Sequence, residues 1–267
     1  MRYSTLISIV LIIAASLVLT GCGMQAEYLT PGAGADVTKL FETADEDIRQ
    51  IVARQPESPL PANLVVLRLQ DTHYWSRTCE GGSVQRGAYS VITTRDIEKD
   101  EDFQRIQNLS QIAQVGTVNR LLLPHNIVSD KDLRLSAAKL RADMLFLYTV
   151  DTKYWSEDNA KPLSVVTLGF APSVNLHMVS TLSGILCDVR TGYIYGTVEA
   201  TEKQKQLTSW WANSDTADQA RLRVERLAFE KMLDEFEKLW IGVAAERATV
   251  LNMRPEPLHP SNWYSTK

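Results

Sequence analysis

The sequence predicts an α/β (α+β) domain of two layers: a mixed sheet with helices packed on one face, a long C-terminal helix and an antiparallel hairpin in the second half. Three observations predict it. Short apolar runs alternate with amphipathic stretches between residues 60 and 150, in the order strand, helix, strand, helix, strand. Asp188-Val189-Arg190-Thr191-Gly192 joins two long strand candidates and carries hairpin chemistry, with Gly192 at the positive-φ position other residues avoid. Finally, Phe229, Met232, Leu233, Phe236, Leu239, Trp240 and Val243 recur at i+3/i+4 spacing, opposite a face of Glu230, Lys231, Asp234, Glu235 and Lys238.

The elements follow in order. Arg2 and the apolar run Leu6–Leu19 make a charged n-region and an h-region too short for a comfortable membrane span. Leu19-Thr20-Gly21-Cys22 then reads as a lipobox, with cleavage between Gly21 and Cys22 and a diacylglycerol on the Cys22 thiol. A further acyl chain such as palmitate on the new amine gives the two-signal anchoring that a single chain does not. Residues 1–21 are therefore expected to be a signal peptide. Residues 22–58 are expected to hold the lipid anchor, a flexible tether around Pro31–Gly34 and an amphipathic helix, Asp36–Arg54, that stops at Pro56.

A single α/β domain is expected over residues 59–247. Leu64–Leu69 reads as a buried strand and residues 71–90 as a loop. A helix is expected around Asp102–Ala113 and a strand over Thr117–Leu123. Ser129 is placed to cap a helix from Asp130 to Arg141, and Met144–Val150 is an apolar strand. Strands Leu163–Gly169, Asn175–Asp188 and Tyr193–Lys203 come next, then a helix from Thr216 to Glu246. Residues 248–267, with three prolines, are expected to be a disordered tail.

Composition narrows the partners. Loss of residues 1–21 removes only Arg2 among 28 basic residues, leaving 27 against 32 acidic ones, a net charge of −5. Such a chain lacks the basic footprint of a nucleic-acid binder. No cofactor motif is present, and the four histidines (His73, His125, His177, His259) show no metal-ligand spacing. Cys79 and Cys187 remain after lipidation. In an oxidising compartment they are a candidate disulfide whose loop would contribute about 4–5 kcal/mol; two unpaired thiols are the other reading.

Asp71-Thr72-His73 with Cys79 is the densest polar cluster, readable as a nucleophile and its base or as a solvated loop. Trp210-Trp211 is a candidate partner contact or an aromatic cap on the sheet. Leu163–Leu186 carries no charged residue and reads as buried strands or as a membrane-inserting hairpin.

Ser136–Tyr148 and Leu186–Tyr193 resemble the helix-into-strand step and the "strand, Asp, Thr-Gly, strand" hairpin of envelope lipoproteins such as the curli-secretion lipoprotein and the TolB amino-terminal domain. The lipobox, element order and C-terminal helix together resemble the rhombotarget lipoprotein family across roughly residues 60–245. The resemblance implies a non-enzymatic envelope lipoprotein with an envelope protein partner, supporting assembly, secretion or surface-protein processing. Gly23 after the lipidated Cys implies the outer membrane, facing the periplasm. The alternatives are an anchored hydrolase of envelope peptide or glycan using Asp71, His73 and Cys79, and a homo-oligomeric secretion pore.

Overall fold

The computed structural model describes residues 34–38, 45–74, 76, 83–158, 174–208 and 214–253. Their elements are α1 (Asp45–Val52), β1 (Ala62–Asp71), β2 (Ser83–Arg86), β3 (Tyr89–Ile92), α2 (Asp100–Gln107), β4 (Ile112–Thr117), α3 (Asp130–Lys139), β5 (Met144–Asp158), β6 (Val174–Asp188), β7 (Ile194–Thr208) and α4 (Ser214–Met253). The α/β class stands: one open, mixed, seven-stranded sheet runs β2-β3-β1-β5-β6-β7, with β4 beside β1. β1 pairs in parallel with β4 and β5, whereas β5, β6 and β7 form an antiparallel meander.

β1 is almost uniformly buried because both of its faces are covered. Leu64 and Val66 join Phe146, Tyr148, Leu182 and Leu186 beneath the α4 stripe, where Phe229, Met232, Leu233, Phe236 and Trp240 are all buried. Val65, Leu67 and Leu69 point the other way, toward Leu133 and Ala137 of α3. The expectation of helices on one face therefore holds for α2 and α4 and is corrected for α3, which covers the opposite face of β1 and β5. Salt bridges join α2 to α4: Arg105 reaches Asp234 at 2.6 Å, and Arg226 donates to Asp102 at 2.8 Å.

Gly184 shows how tightly the α4 side is packed. A Cβ there would lie 2.6 Å from the Phe146 ring and 3.1 Å from Val198. Gly184→Ala is expected to cost about 1–3 kcal/mol through overpacking, seen as a lower urea midpoint with an unchanged slope. Full stability would mean that the Phe146 ring can move aside freely.

Several boundaries differ from the sequence reading, for local reasons. Residues 83–92 are a β2–β3 hairpin rather than loop, because Arg68–Asp71 of β1 offers β3 an antiparallel edge. Helix α2 stops early: Gln111 has a φ of 67° and its carbonyl accepts from Ala62, so Ile112 and Ala113 enter β4. The strand expected over Thr117–Leu123 ends at Thr117, and Asn119 Oδ1 accepts from Leu121 N at 3.0 Å to form a 3-10 turn, Arg120–Leu122. At the start of α3, Asp132 reaches back to accept from the Val128 and Ser129 amides, both at 3.0 Å. Burial pushes the Asp132 carboxyl up, yet these hydrogen bonds hold it below its ordinary value. The last helix continues to Met253, into the segment expected to be a tail.

The N-terminal reading changes most. Residues 34 and 35, expected to be tether, dock on the sheet: Gly34 bridges Gln70 antiparallel, and Ala35 N donates to Thr149 Oγ1 at 2.9 Å. The helix expected over Asp36–Arg54 is described only as α1, with Ile48 and Val52 exposed. The strand expected over Leu163–Gly169 lies outside the described residues, whereas Val174–Leu186 is a central sheet strand. Among the described residues, no helix is long and apolar enough to cross a membrane.

Candidate functional site

β1 changes partner along one edge. Ala62–Val66 pairs with β4 and Arg68–Asp71 with β3, so the two neighbours part beside Leu67. A cavity of about 30 Å³ opens there, lined by Val66, Arg68, Thr94, Glu98, Phe103 and Tyr148 among others. That is room for a water or two and not for a substrate. Arg68 Nε and Thr94 Oγ1, which both belong to this lining, have no hydrogen-bond partner among the described residues.

Arg68 also anchors a network of buried charge. It lies on the face of β1 that looks toward α4, reaching Asp96 at 2.6 Å and Tyr74 Oη at 2.8 Å. Tyr148 Oη donates to Glu98. Burial works against the Arg68 charge, but Tyr74, Asp96 and Glu98 raise its pKa well above the ordinary value, so the guanidinium stays ionised. Burial, then the Glu98 charge, pushes the Tyr148 hydroxyl far up, so it acts as a donor.

The network continues onto α4. Arg221 pairs with Glu225 at 2.6 Å, with both side chains 1% exposed. Arg221 also donates to Ser76 Oγ at 2.9 Å and Asp218 at 3.0 Å. Thr152 Oγ1 donates to Glu225 at 2.8 Å and lies 3.0 Å from Ser180 Oγ. Burial raises the Glu225 carboxyl above its usual range, opposed by Arg221 and Arg68. Every charge here meets an opposite charge or a hydroxyl, and the set clamps the first turns of α4 onto the sheet. Sequence reading missed it because Arg68, Tyr148 and Glu225 are far apart in the chain; the one local signal was an arginine inside an apolar strand.

A second polar node closes the β6–β7 hairpin. Gly192 has a φ of 71°, as its place in the turn requires. Asp188 Oδ1 accepts from the Arg190 and Thr191 amides, while Oδ2 accepts from the Glu57 and Ser58 amides and from Tyr195 Oη. The Ser58 hydroxyl lies 2.8 Å from Oδ2 and 2.7 Å from the Asp143 carbonyl. The Asp188 motif recognised in the sequence is thus a structural tie between the hairpin and the segment before β1.

Of the sequence-predicted site residues, Asp71, His73 and Cys187 are among the described residues. His73 Nδ1 sits 2.8 Å from Asp71 Oδ1, but on a turn after β1 with the His73 side chain 92% exposed. Its backbone amide donates to the same carboxylate, as in an Asx turn. Cys79, like Gly21, Cys22, Trp210 and Trp211, lies outside the described residues. Cys187, a free thiol among the described residues, is buried under α3 beside Leu145 and Val189, where burial pushes it up to about 12. Such a thiol is nearly all protonated at neutral pH and is a poor nucleophile.

Among the described residues, no cluster of three His, Cys, Asp or Glu side chains could hold a metal.

No family model matches the chain, and no curated protein matches it. Among solved structures, it is similar to protein XCC0632 from Xanthomonas campestris, of the DUF330 family, at 10% identity and a TM-score of 0.30. That match covers 73% of this chain and 94% of the other.

Proposed function

We propose that this chain is a lipid-anchored protein of the bacterial cell envelope. Its α/β domain is a non-enzymatic binding module for another envelope protein, held at the outer membrane and facing the periplasm. The observation that carries the reading is the lipobox at Cys22, only twelve residues before the chain is captured on the sheet at Gly34. Fully extended, that linker spans about 40 Å, so a lipidated Cys22 keeps the domain close to its membrane. The rhombotarget resemblance agrees with this role.

The outer side of α3 supports a protein partner. Leu121, Val128, Leu135 and Leu140 are exposed large apolar residues within α3 and the segments flanking it. The Leu122 carbonyl, which accepts from Ser136 Oγ and Lys139 Nζ at 3.2 Å, sets the 3-10 turn beside α3. Leu135 of α3, with Leu121, Val128 and Leu140 in the segments on either side of it, offers apolar surface to a partner.

Cys22→Ala is expected to leave the domain folded and to remove the mature chain from the membrane fraction, with loss of its envelope phenotype. Fractionation and complementation read this, and full function from the mislocalised variant would overturn the reading. Cross-linking in intact envelopes is expected to enrich a protein partner over an unrelated lipoprotein control; no enrichment would remove the binding role.

A further inference from the structure

The sheet has two unequal margins. One ends in β2, of four residues, and β4, of six. The other is β7, fifteen residues from Ile194 to Thr208. β7 pairs with β6 along its inner edge, and among the described residues no strand meets its outer edge. α4 packs on the even-numbered face of β7, where Val198 and Ala200 are buried, Glu202 meets Lys231 and Gln206 accepts from Arg223.

An edge strand carries a row of backbone N–H and C=O groups ready to pair with a further strand. Proteins guard such edges by keeping them short, or with proline, bulges and lysines. β7 is long, holds no proline, and has its bulge only at the Ile194 end, opposite Leu186 and Cys187. It does carry Lys203 and Lys205, so a strand that joins it must answer their charge. From 197 to 205 the odd-numbered residues face away from α4, and Thr197, Glu199, Thr201, Lys203 and Lys205 are all exposed. Glu199 accepts from Ser183 Oγ at 3.0 Å and has no basic partner among the described residues; Lys203 has no acidic one.

β7 itself supplies the answering charges. Two β7 strands paired antiparallel about a two-fold axis perpendicular to the sheet set residues of one face opposite residues of the same face. Thr201 is the middle residue of β7. With the axis there, Glu199 of each copy stands opposite Lys203 of the other, and Lys205 stands opposite Thr197. On the α4 side, Glu202 and Gln204 stand opposite Ala200 and Val198. A shifted axis loses this match. At Ala200, both Glu199 and Lys203 would face threonines. At Glu202, Lys205 would meet Glu199, but the two Glu202 carboxylates would oppose each other.

We infer that β7 is a self-association edge: a second copy of this chain adds its own β7 antiparallel, with Thr201 on the two-fold axis, joining two seven-stranded sheets into one. Opposite charges directly across a strand pair attract and like charges repel, so the charge order selects both the partner and the register. α3 covers β1 and β5, away from this edge, so the surface offered to an envelope partner stays free.

The test is sedimentation equilibrium of the full chain in mild detergent, with circular dichroism to show that each variant is folded. The parent is expected to dimerise. Glu199→Lys and Lys203→Glu each turn both cross-strand charge pairs into like-charge pairs, and each is expected to raise the dimer Kd about tenfold or more. Glu199→Lys combined with Lys203→Glu exchanges the charges and is expected to return the Kd to within about threefold of the parent. Thr201→Cys, on the axis, is expected to form more intermolecular disulfide than the parent under mild oxidation. Lys203→Cys is expected to form no more than the parent, because its two copies lie beyond disulfide reach. A parent that stays monomeric at a concentration on the order of 100 μM, where even a weak specific contact is populated, overturns the inference. A dimer that the single variants leave unchanged, or that the double variant does not restore, places the contact elsewhere and overturns it too.

Discussion

Asp188→Ala is expected to destabilise the domain by about 4 kcal/mol or more. The carboxylate is fully buried and accepts from four backbone amides, those of Glu57, Ser58, Arg190 and Thr191, and from the Tyr195 hydroxyl. Each orphaned buried donor costs roughly 1–3 kcal/mol, and relaxation with water entry recovers part of the total. Asp188→Asn is expected to rescue little, because its amide nitrogen would face backbone N–H groups that need an acceptor. Urea unfolding followed by circular dichroism measures both variants. An Asn variant as stable as the parent would mean that the node tolerates a neutral side chain.

The same node predicts a pH dependence. Burial alone would raise the Asp188 carboxyl, but hydrogen bonds from Ser58 and from the Thr191 and Glu57 amides hold it below its ordinary value. A depressed carboxylate contributes stability that is fully present above its unfolded value of about 3.9. That contribution is lost as pH falls through the lower folded value. The parent should therefore lose more stability than Asp188→Asn between about pH 5 and the acid limit.

Arg221→Ala is expected to cost about 3–5 kcal/mol, because it leaves Glu225 buried and without its cation. Arg221 and Glu225 pair at 2.6 Å with both side chains nearly inaccessible, and the partner left behind is already raised by burial. The double substitution Arg221→Met with Glu225→Leu should restore most of the loss, since a well-packed apolar pair avoids desolvating two ions. The comparison is a double-mutant cycle in urea. If the double variant is as unstable as Arg221→Ala, the clamp depends on the Ser76, Asp218 and Thr152 hydrogen bonds more than on the ion pair.

What could be read beforehand divides by range. The α4 stripe was legible because Phe229 to Val243 repeats with the helical period, and all but Leu239 are buried in the structure. The β6–β7 hairpin was legible because Gly192 and Asp188 are local turn chemistry. The β2–β3 hairpin was not: its strands are four residues each, and their stability comes from pairing with β1 rather than from their own pattern. The side on which α3 packs was illegible for a similar reason. An amphipathic helix declares that it has an apolar face but not which side of a sheet it will cover. The charged network was the least legible part, since Arg68, Asp96, Glu98, Tyr148, Arg221 and Glu225 come from separate elements.

By itself, the sequence determined the α/β class and the elements whose periodicity or turn residues are complete within a dozen positions. Tertiary structure alone decided that Gly34 and Ala35 leave the tether to join the sheet. It also decided that β1 exchanges one partner for another at Leu67. The physical reason is that backbone pairing and charge burial depend on which strands meet. Strand register is settled by contacts between residues far apart in the chain, which no local pattern records.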